Sequence, residues 1–401
     1  MPRSPLTTRA LVALALLTLA LASACSEEAP PPRERDRVPV PLEDGTDWPS
    51  YRGNAALQGV SQETLGSDPK LAWTFETDGA ITSSPVVAGD TVYVGSIDGL
   101  LYAIDLRSGE ERWAFATEDA IEAPPLVHAG RVYVGSLDAS LYAVDARTGE
   151  QIWKFETGDK IMGSANLAPA ADGSMRIFVG SYDARLYCID AASGTKVWEY
   201  ETANYLNGAP AILDDRIVVG GCDAVLHVVS SATGKALEEI ELGAGCHVAG
   251  SVALSGGRAY LGHYGNEFVC VDLASGKNAW IYPSNTHAFF SSPAIGRDRI
   301  VFGGRDKKLH CARLTDGKPL WTFPTRRKVD GSPVICGDKV VFGSGDGRLY
   351  MLHLDDGKEL WRYDLGGATY SSPAVSRGMI LIGANDKRLY AFGAPPDSSG
   401  R

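Results

Sequence analysis

One short pattern recurs along the chain and limits what it can fold into more than any other feature. It is clearest in residues 96–115, S-I-D-G-L-L-Y-A-I-D-L-R-S-G-E-E-R-W-A-F: a strand, a turn at Ser108-Gly109, and a second strand carrying Trp113. The tryptophans mark each copy at Trp73, Trp113, Trp153, Trp198, Trp280, Trp321 and Trp361, with Leu237 in the equivalent slot of the unit that lacks one. Successive slots lie 39 to 45 residues apart. A companion turn position reads Asp98, Asp138, Asp183, Asp223, Gly265, Asp306, Asp346 and Asp386. Both series count eight units. A period of about 40 residues built from short strands describes sheets arranged around an axis.

Within the first unit, residues 71–76, 81–87, 91–95 and 100–104 are β-branched and aromatic runs separated by Gly, Asp or Ser turns, the signature of an antiparallel meander. A lone four-stranded sheet leaves two apolar faces wet, and stacking copies into a ring covers both. The phase of the repeat implies how the ring closes. The chain begins with an isolated Trp strand at Trp73 and ends with a unit, residues 386–392, that lacks one. The Trp73 strand is therefore expected to complete the last blade and hide the open edges. The expected fold is all-β: a single eight-bladed β-propeller of four-stranded antiparallel blades over residues 71–393.

Outside the repeats, residues 1–24 have a basic start (Arg3, Arg9) and an apolar run over 11–22 that ends in small residues, which reads as an export signal. Residues 21–25, L-A-S-A-C, resemble a bacterial lipobox, which would make Cys25 an acylated first residue anchored in a membrane. Ala22 departs from the usual Leu, so ordinary cleavage after Ala24 stays open. Ser26 after the cysteine resembles outer-membrane sorting. Residues 25–47 are Pro-rich and charged, a tether. Residues 48–70 match no repeat and are expected to pack Trp48 and Tyr51 against the side of the propeller. Residues 394–401 read as a disordered tail. The formal charge of −11 gives no basic footprint for nucleic acid. Arg326-Arg327-Lys328 reads as a solvated rim.

The consensus L-Y-A-[IV]-D-x-x-[ST]-G-x-x-x-W resembles the tryptophan-docking repeat of PQQ-like, quinoprotein-type propellers. That resemblance supports the fold but not one function, because this scaffold serves enzymes and binding proteins alike. Quinoprotein dehydrogenases carry long insertions, PQQ with Ca²⁺ and an adjacent Cys-Cys pair. This chain has tight repeats, no Cys-Cys and no C-x-x-C-H haem motif. It is closer to BamB-type lipoproteins of the outer-membrane assembly machinery. The resemblance implies an exported, periplasm-facing scaffold, monomeric within a complex. Its partners would be envelope proteins such as β-barrel assembly subunits, with no cofactor and no catalytic residues. The alternative is a PQQ- or metal-dependent oxidoreductase using the funnel.

Aligning the strand after each Trp strand puts Thr82, Glu122, Met162, Asn207, Ala249, Phe290, Asp330 and Tyr370 at one position. The following residues, Ser83, Ala123, Gly163, Gly208, Gly250, Ser291, Gly331 and Ser371, are all small, as the crowded axis of a ring requires. With Lys160, Tyr205, His247 and Lys328 just upstream, the candidate binding rim comprises Glu122, Lys160, Tyr205, Asn207, His247, Lys328, Asp330 and Tyr370. The Asp98 series recurs too often to be catalytic and is expected to cap local turns. Cys188, Cys270 and Cys311 occupy the slot of Ala103 and are expected as buried fillers. Cys222 and Cys246 are candidates for a disulfide in an oxidising compartment. Together with His247 and His263 they form a weaker candidate for Zn²⁺.

Overall fold

A computed structural model describes residues 47–282 and 287–393. The export signal, Cys25, the tether up to residue 46 and the tail from residue 394 lie outside the described residues.

The strands follow from how many faces each must cover. The third strand of the first unit, Leu100–Asp105, buries Leu101, Tyr102, Ala103 and Ile104 in succession. Such continuous burial arises when a neighbouring sheet lies on each side. The fourth strand, Glu111–Ala116, alternates exposed and half-buried residues because it sits at the rim. Eight antiparallel sheets repeat this gradient. Leu71–Glu76 pairs with Arg388–Phe392, Trp73 opposite Ala391, so the first repeat strand completes the last blade. The ring closes as its phase requires.

Six tryptophans dock one blade on the next. Trp73 Nε1 donates to Leu106 O at 3.0 Å, Trp113 to Ala146 O at 3.1 Å and Trp153 to Ala191 O at 3.2 Å. Trp198, Trp280 and Trp321 repeat the bond with Ser231, Leu314 and Leu354. The indole lies on the turn glycine of the next blade. Gly109 has φ +75, and a Cβ there would come within 2.7 Å of the Trp73 ring. Two separate constraints, backbone handedness and indole contact, thus fall on one residue.

One slot differs from the sequence alignment. A β-bulge shifts the outer strand of each of these blades by one residue, as between Cys188 and Ile189, where Cys188 faces Trp198. In the fourth blade the same register sets Glu238 opposite Val228. Glu238 rather than Leu237 occupies the tryptophan slot, and Leu237 is the exposed bulge residue. Ile240 takes over the packing: it is buried and lies nearest the turn glycine Gly276.

The segment before the repeats also differs from expectation. It does not lie on the propeller's side; it crosses the axial face and touches the innermost strand of every blade. Trp48 exchanges backbone bonds with Val87. Pro49 O, Ala55 O, Ala56 O, Gln58 O and Gly59 O accept from the backbones of Val127, Ile212, Leu254, Ile295 and Ile335. Asn166 Nδ2 reaches Ala55 O, and Ser61 Oγ reaches Val375 O. Val60–Ser61 adds a parallel fifth strand to Val334–Cys336. Inner strands converging on an axis leave one edge unpaired, and this strap supplies the missing partners.

Candidate functional site

The strap makes the axial channel a well with one open end. Tyr51 stands at its base, its hydroxyl 3.3 Å from Ser292 Oγ and 3.1 Å from Ser332 Oγ. Beneath it Arg52 is fully buried, with Nη2 donating to Pro293 O and Pro333 O. Burial holds its guanidinium down at about 10, against the small opposing effect of Tyr51. Above Tyr51 a chain of hydroxyls runs around the axis. Ser251, Ser292, Ser332, Ser372 and Ser84 each accept a backbone N–H from the preceding blade, at 2.8–3.0 Å.

All eight residues of the aligned position, Thr82 through Tyr370, line the axial cavity of about 170 Å³. The small residues that follow them are needed for close approach. A Cβ on Gly208 would come within 2.7 Å of Gly250 O, and one on Gly250 within 2.2 Å of Phe290 O. The rim residues lie two positions before the aligned ones, separated by buried side chains such as Ile161, Leu206, Val248 and Val329. A two-residue period puts Lys160 and Met162, or Lys328 and Asp330, on the same face of the chain.

Beside the axis a second cavity of about 520 Å³ is lined by Met162, Tyr182, Asn204, Tyr205, Asn207, Cys222, His247, Ala249 and Tyr264. Tyr182 and Tyr205 stack there with centroids 4.7 Å apart and planes 3° from parallel. Lys160 Nζ lies 4.5 Å from the Tyr182 ring. Burial, then the neighbouring Cys222, pushes the Tyr182 phenol up to about 12, so it stays a neutral donor. Tyr264 meets His247 edge-on at 6.1 Å and Phe290 at 4.4 Å.

The far side of the mouth is cationic. Arg305 lies 3.7 Å over Phe290 and binds both oxygens of Asp330 at 3.1 Å. Lys328 Nζ sits 2.7 Å from Asp330 Oδ2 and 4.8 Å from the Tyr370 ring. Of the candidate rim, the structure gathers Lys160, Tyr205, Asn207, His247, Lys328, Asp330 and Tyr370 into this arc. Glu122 lines the axial cavity, near enough to Tyr182 for its charge to bear on that phenol. Tyr182, Tyr264 and Arg305 were not singled out from sequence. Tyr182 and Arg305 follow a small residue at the start of a turn, Ser181 and Gly304, whereas Tyr264 follows His263, and only the fold turns all three toward the axis.

The cysteine and histidine candidates separate. Cys222 is a free thiol that accepts from Asn207 Nδ2 at 3.0 Å, and burial raises its pKa. Cys246 is also free and packs against Gly265, where a Cβ would come within 2.6 Å of its sulfur. The structure forms no Cys222–Cys246 disulfide, because the two thiols are taken up by different neighbours. His263 accepts the Gly265 N–H at Nδ1, 3.1 Å, and burial drops its pKa to about 4. Among the described residues no group of three or more His, Cys, Asp or Glu assembles, so Cys222, Cys246, His247 and His263 do not form a Zn²⁺ cluster here. Cys188, Cys270 and Cys311 are buried fillers, with thiols pushed up to about 12, 11 and 12 by burial. The Asp98 series caps turns. Asp98 Oδ2 accepts from Asp78 N and Gly79 N at 3.0 and 3.2 Å, and from the Tyr102 hydroxyl at 3.0 Å.

Proteins of different occupations share this fold. BamB from Moraxella catarrhalis superposes with a TM-score of 0.69 at 19% identity, over 81% of this chain and 99% of that one. A quinohemoprotein alcohol dehydrogenase from Pseudomonas putida gives 0.76 at 14% identity, over 89% of this chain and 81% of its own. A europium-containing methanol dehydrogenase gives 0.74 at 15% identity, over 88% and 98%. At such identities the likeness is one of fold. Comparison with curated proteins returns no significant match. A family profile does match, over residues 64–175, 138–304 and 305–395. That span takes in all eight blades, and the chain belongs to the family described as outer membrane protein assembly factor BamB.

Proposed function

We propose that this protein is an exported scaffold of the cell envelope, lipid-anchored through Cys25, that presents its open mouth to partner proteins in outer-membrane assembly. The supporting observation is the asymmetry of the axis. The strap covers one end, while the other exposes tyrosines, cations and amides on rigid turns. Tyrosine with Asn, Ser and Gly is the chemistry of adaptable protein recognition: large amphipathic contacts at low entropic cost. Rigid blades hold these groups in place before binding, which lowers the cost of ordering them.

The second reading, an oxidoreductase using PQQ and Ca²⁺ in the funnel, draws on the two dehydrogenases that share the fold. We read the donor set as unsuited to it. Ca²⁺ takes six to eight oxygens, yet Asp330 is already engaged by Arg305 and Lys328, and Glu122 is the other carboxylate of the axial cavity.

A pull-down from detergent-solubilised envelope tests the leading reading. Wild-type protein is expected to recover β-barrel assembly subunits, and Tyr205→Ala/Lys328→Glu to lose them. Recovery of none by wild type would overturn the assembly role. Metabolic palmitate labelling lost in Cys25→Ser checks the anchor. Stoichiometric quinone absorbance with dye-linked alcohol oxidation, after adding PQQ and Ca²⁺, would reverse the ranking.

A further inference from the structure

The contacts around the open mouth run in series across the fifth to eighth blades. His247 touches Tyr264, Tyr264 touches Phe290, Phe290 carries Arg305, and Arg305 shares Asp330 with Lys328, which lies over Tyr370. Along this series the chemistry is divided. At one end is the cavity of about 520 Å³ with its stacked tyrosines. At the other, cations exceed carboxylates: Asp330 is shared by two of them, and the adjacent Lys307, Arg326 and Arg327 are exposed and have no ion pair among the described residues. The loop holding Arg326 to Lys328 is fixed on both sides, Thr325 N to Lys307 O at 2.8 Å and Gly345 N to Lys328 O at 3.0 Å. The positive charge is therefore held in place on a chain whose formal charge is −11.

We infer that the mouth takes an extended acidic peptide segment bearing an aromatic side chain. The ring enters the tyrosine cavity and the carboxylates lie on Arg305, Lys328, Arg326 and Arg327. An aromatic side chain gains stacking against the Tyr182–Tyr205 pair and hydrogen-bonding groups in Asn207 and His247. His247 Nδ1 is buried without a partner, so a polar group brought by the ligand would satisfy it. Carboxylates complete an arc in which Asp330, together with Asp346, whose Oδ2 accepts the Arg326 backbone N–H at 3.0 Å, leaves the cations undercompensated, and guanidinium groups suit them by geometry. The Phe290 ring lies between the two ends. From Tyr264 to Phe290 is 4.4 Å and from Phe290 to Arg305 3.7 Å, and an extended chain rises about 3.3 Å per residue, so an aromatic residue at Tyr264 and an acidic one on Arg305 should lie roughly two to four positions apart.

This inference rests on the mouth being a protein-binding surface, and the experiment separates the two. Fluorescein-labelled ten-residue peptides with a Phe and two Glu at that spacing are titrated against the mature protein. Controls replace Glu by Lys, or Phe by Ala. The acidic aromatic peptide is expected to bind at least tenfold tighter than either control, and less tightly as salt rises. Arg326→Glu/Arg327→Glu, both exposed, should abolish the preference over the Lys peptide, and Tyr205→Ala the preference over the Ala peptide. Thermal unfolding confirms that each variant is folded. Equal or tighter binding of the Lys peptide overturns the charge assignment while leaving the mouth a peptide site. Acidic binding unmoved by these variants places it elsewhere and also overturns the inference. No binding by any peptide overturns the reading of the mouth as well.

Discussion

The second blade and the fourth-to-fifth blade junction are built on one plan and keep different amounts of it. In the second, Asp138 Oδ2 accepts from Glu118 N at 3.0 Å and from Tyr142 at 2.7 Å, and Trp153 packs against Tyr133 as it docks on the next blade. At the fourth-to-fifth junction, Glu238 stands in the tryptophan slot, Gly265 in the aspartate slot, and His227 and Val269 where tyrosine recurs. The larger cavity opens in this same sector, lined by Cys222, His247 and Tyr264. In a closed ring every blade is held by two neighbours, so one interface can give up its standard docking without opening the structure. The residues that shape the mouth there, among them Cys222 and Tyr264, sit in the turns beside the aspartate slots of these two blades.

The comparison is best broken where the plan is intact. Trp153→Ala removes an indole docked on Gly194 and is expected to cost about 3–5 kcal/mol, read as a lower midpoint in urea. At the junction, the same measurement on Glu238→Ala should give a change within about 0.5 kcal/mol, since that residue is exposed. A comparable loss at both would mean that the fourth blade docks by a route not seen here.

Titration sharpens the contrast next. Burial depresses the folded pKa of His263 to about 4, below the ordinary value of about 6.5. The neutral ring is favoured in the folded state, so this contribution is complete above pH 6.5 and is lost as pH falls through 4. About 3 kcal/mol should disappear over that window. His263→Gln, which can still accept the Gly265 N–H, should flatten it. A wild-type pH profile that already matches the variant would contradict the burial assigned to His263.

A smaller effect concerns restoring the plan. Gly265→Asp recreates the repeat's consensus, yet its Cβ would meet Cys246 Sγ at 2.6 Å and His263 Nδ1 at 2.8 Å. It is expected to cost about 1–3 kcal/mol, with part of the loss recovered in Gly265→Asp/Cys246→Ala. A stabilising Gly265→Asp would show instead that the glycine is a defect of the repeat. Last, Asp98→Asn keeps the turn's shape but weakens its bonds to Asp78 N and Gly79 N, an effect of about 1 kcal/mol.

Much of the fold could be read from residue order. The tryptophan and aspartate series counted the blades, and the unpaired Trp73 strand located the closure, because each unit repeats one local solution. The eight aligned axial residues could be read for the same reason: position within a repeat maps onto radius in the ring. Non-repeating residues were not legible in this way. Trp48 and Tyr51 look like an ordinary apolar segment, and nothing local indicates that it spans the axis. Leu237 matched the tryptophan slot by hydrophobicity, but the β-bulge sets that slot one residue later, at Glu238. Tyr182, Tyr264 and Arg305 lie in turns whose sequences resemble the others, and their convergence depends on the loops of the adjacent blades.

By itself, the sequence determined the number of blades, their stacking and the joining of the chain's two ends, since a strict period leaves one economical way to cover every apolar face. Tertiary structure alone decided that the strap closes one end of the axis and that tyrosines and cations meet at the other. Those contacts join segments far apart in the chain. No local propensity encodes them, and they exist only once the ring has brought the blades together.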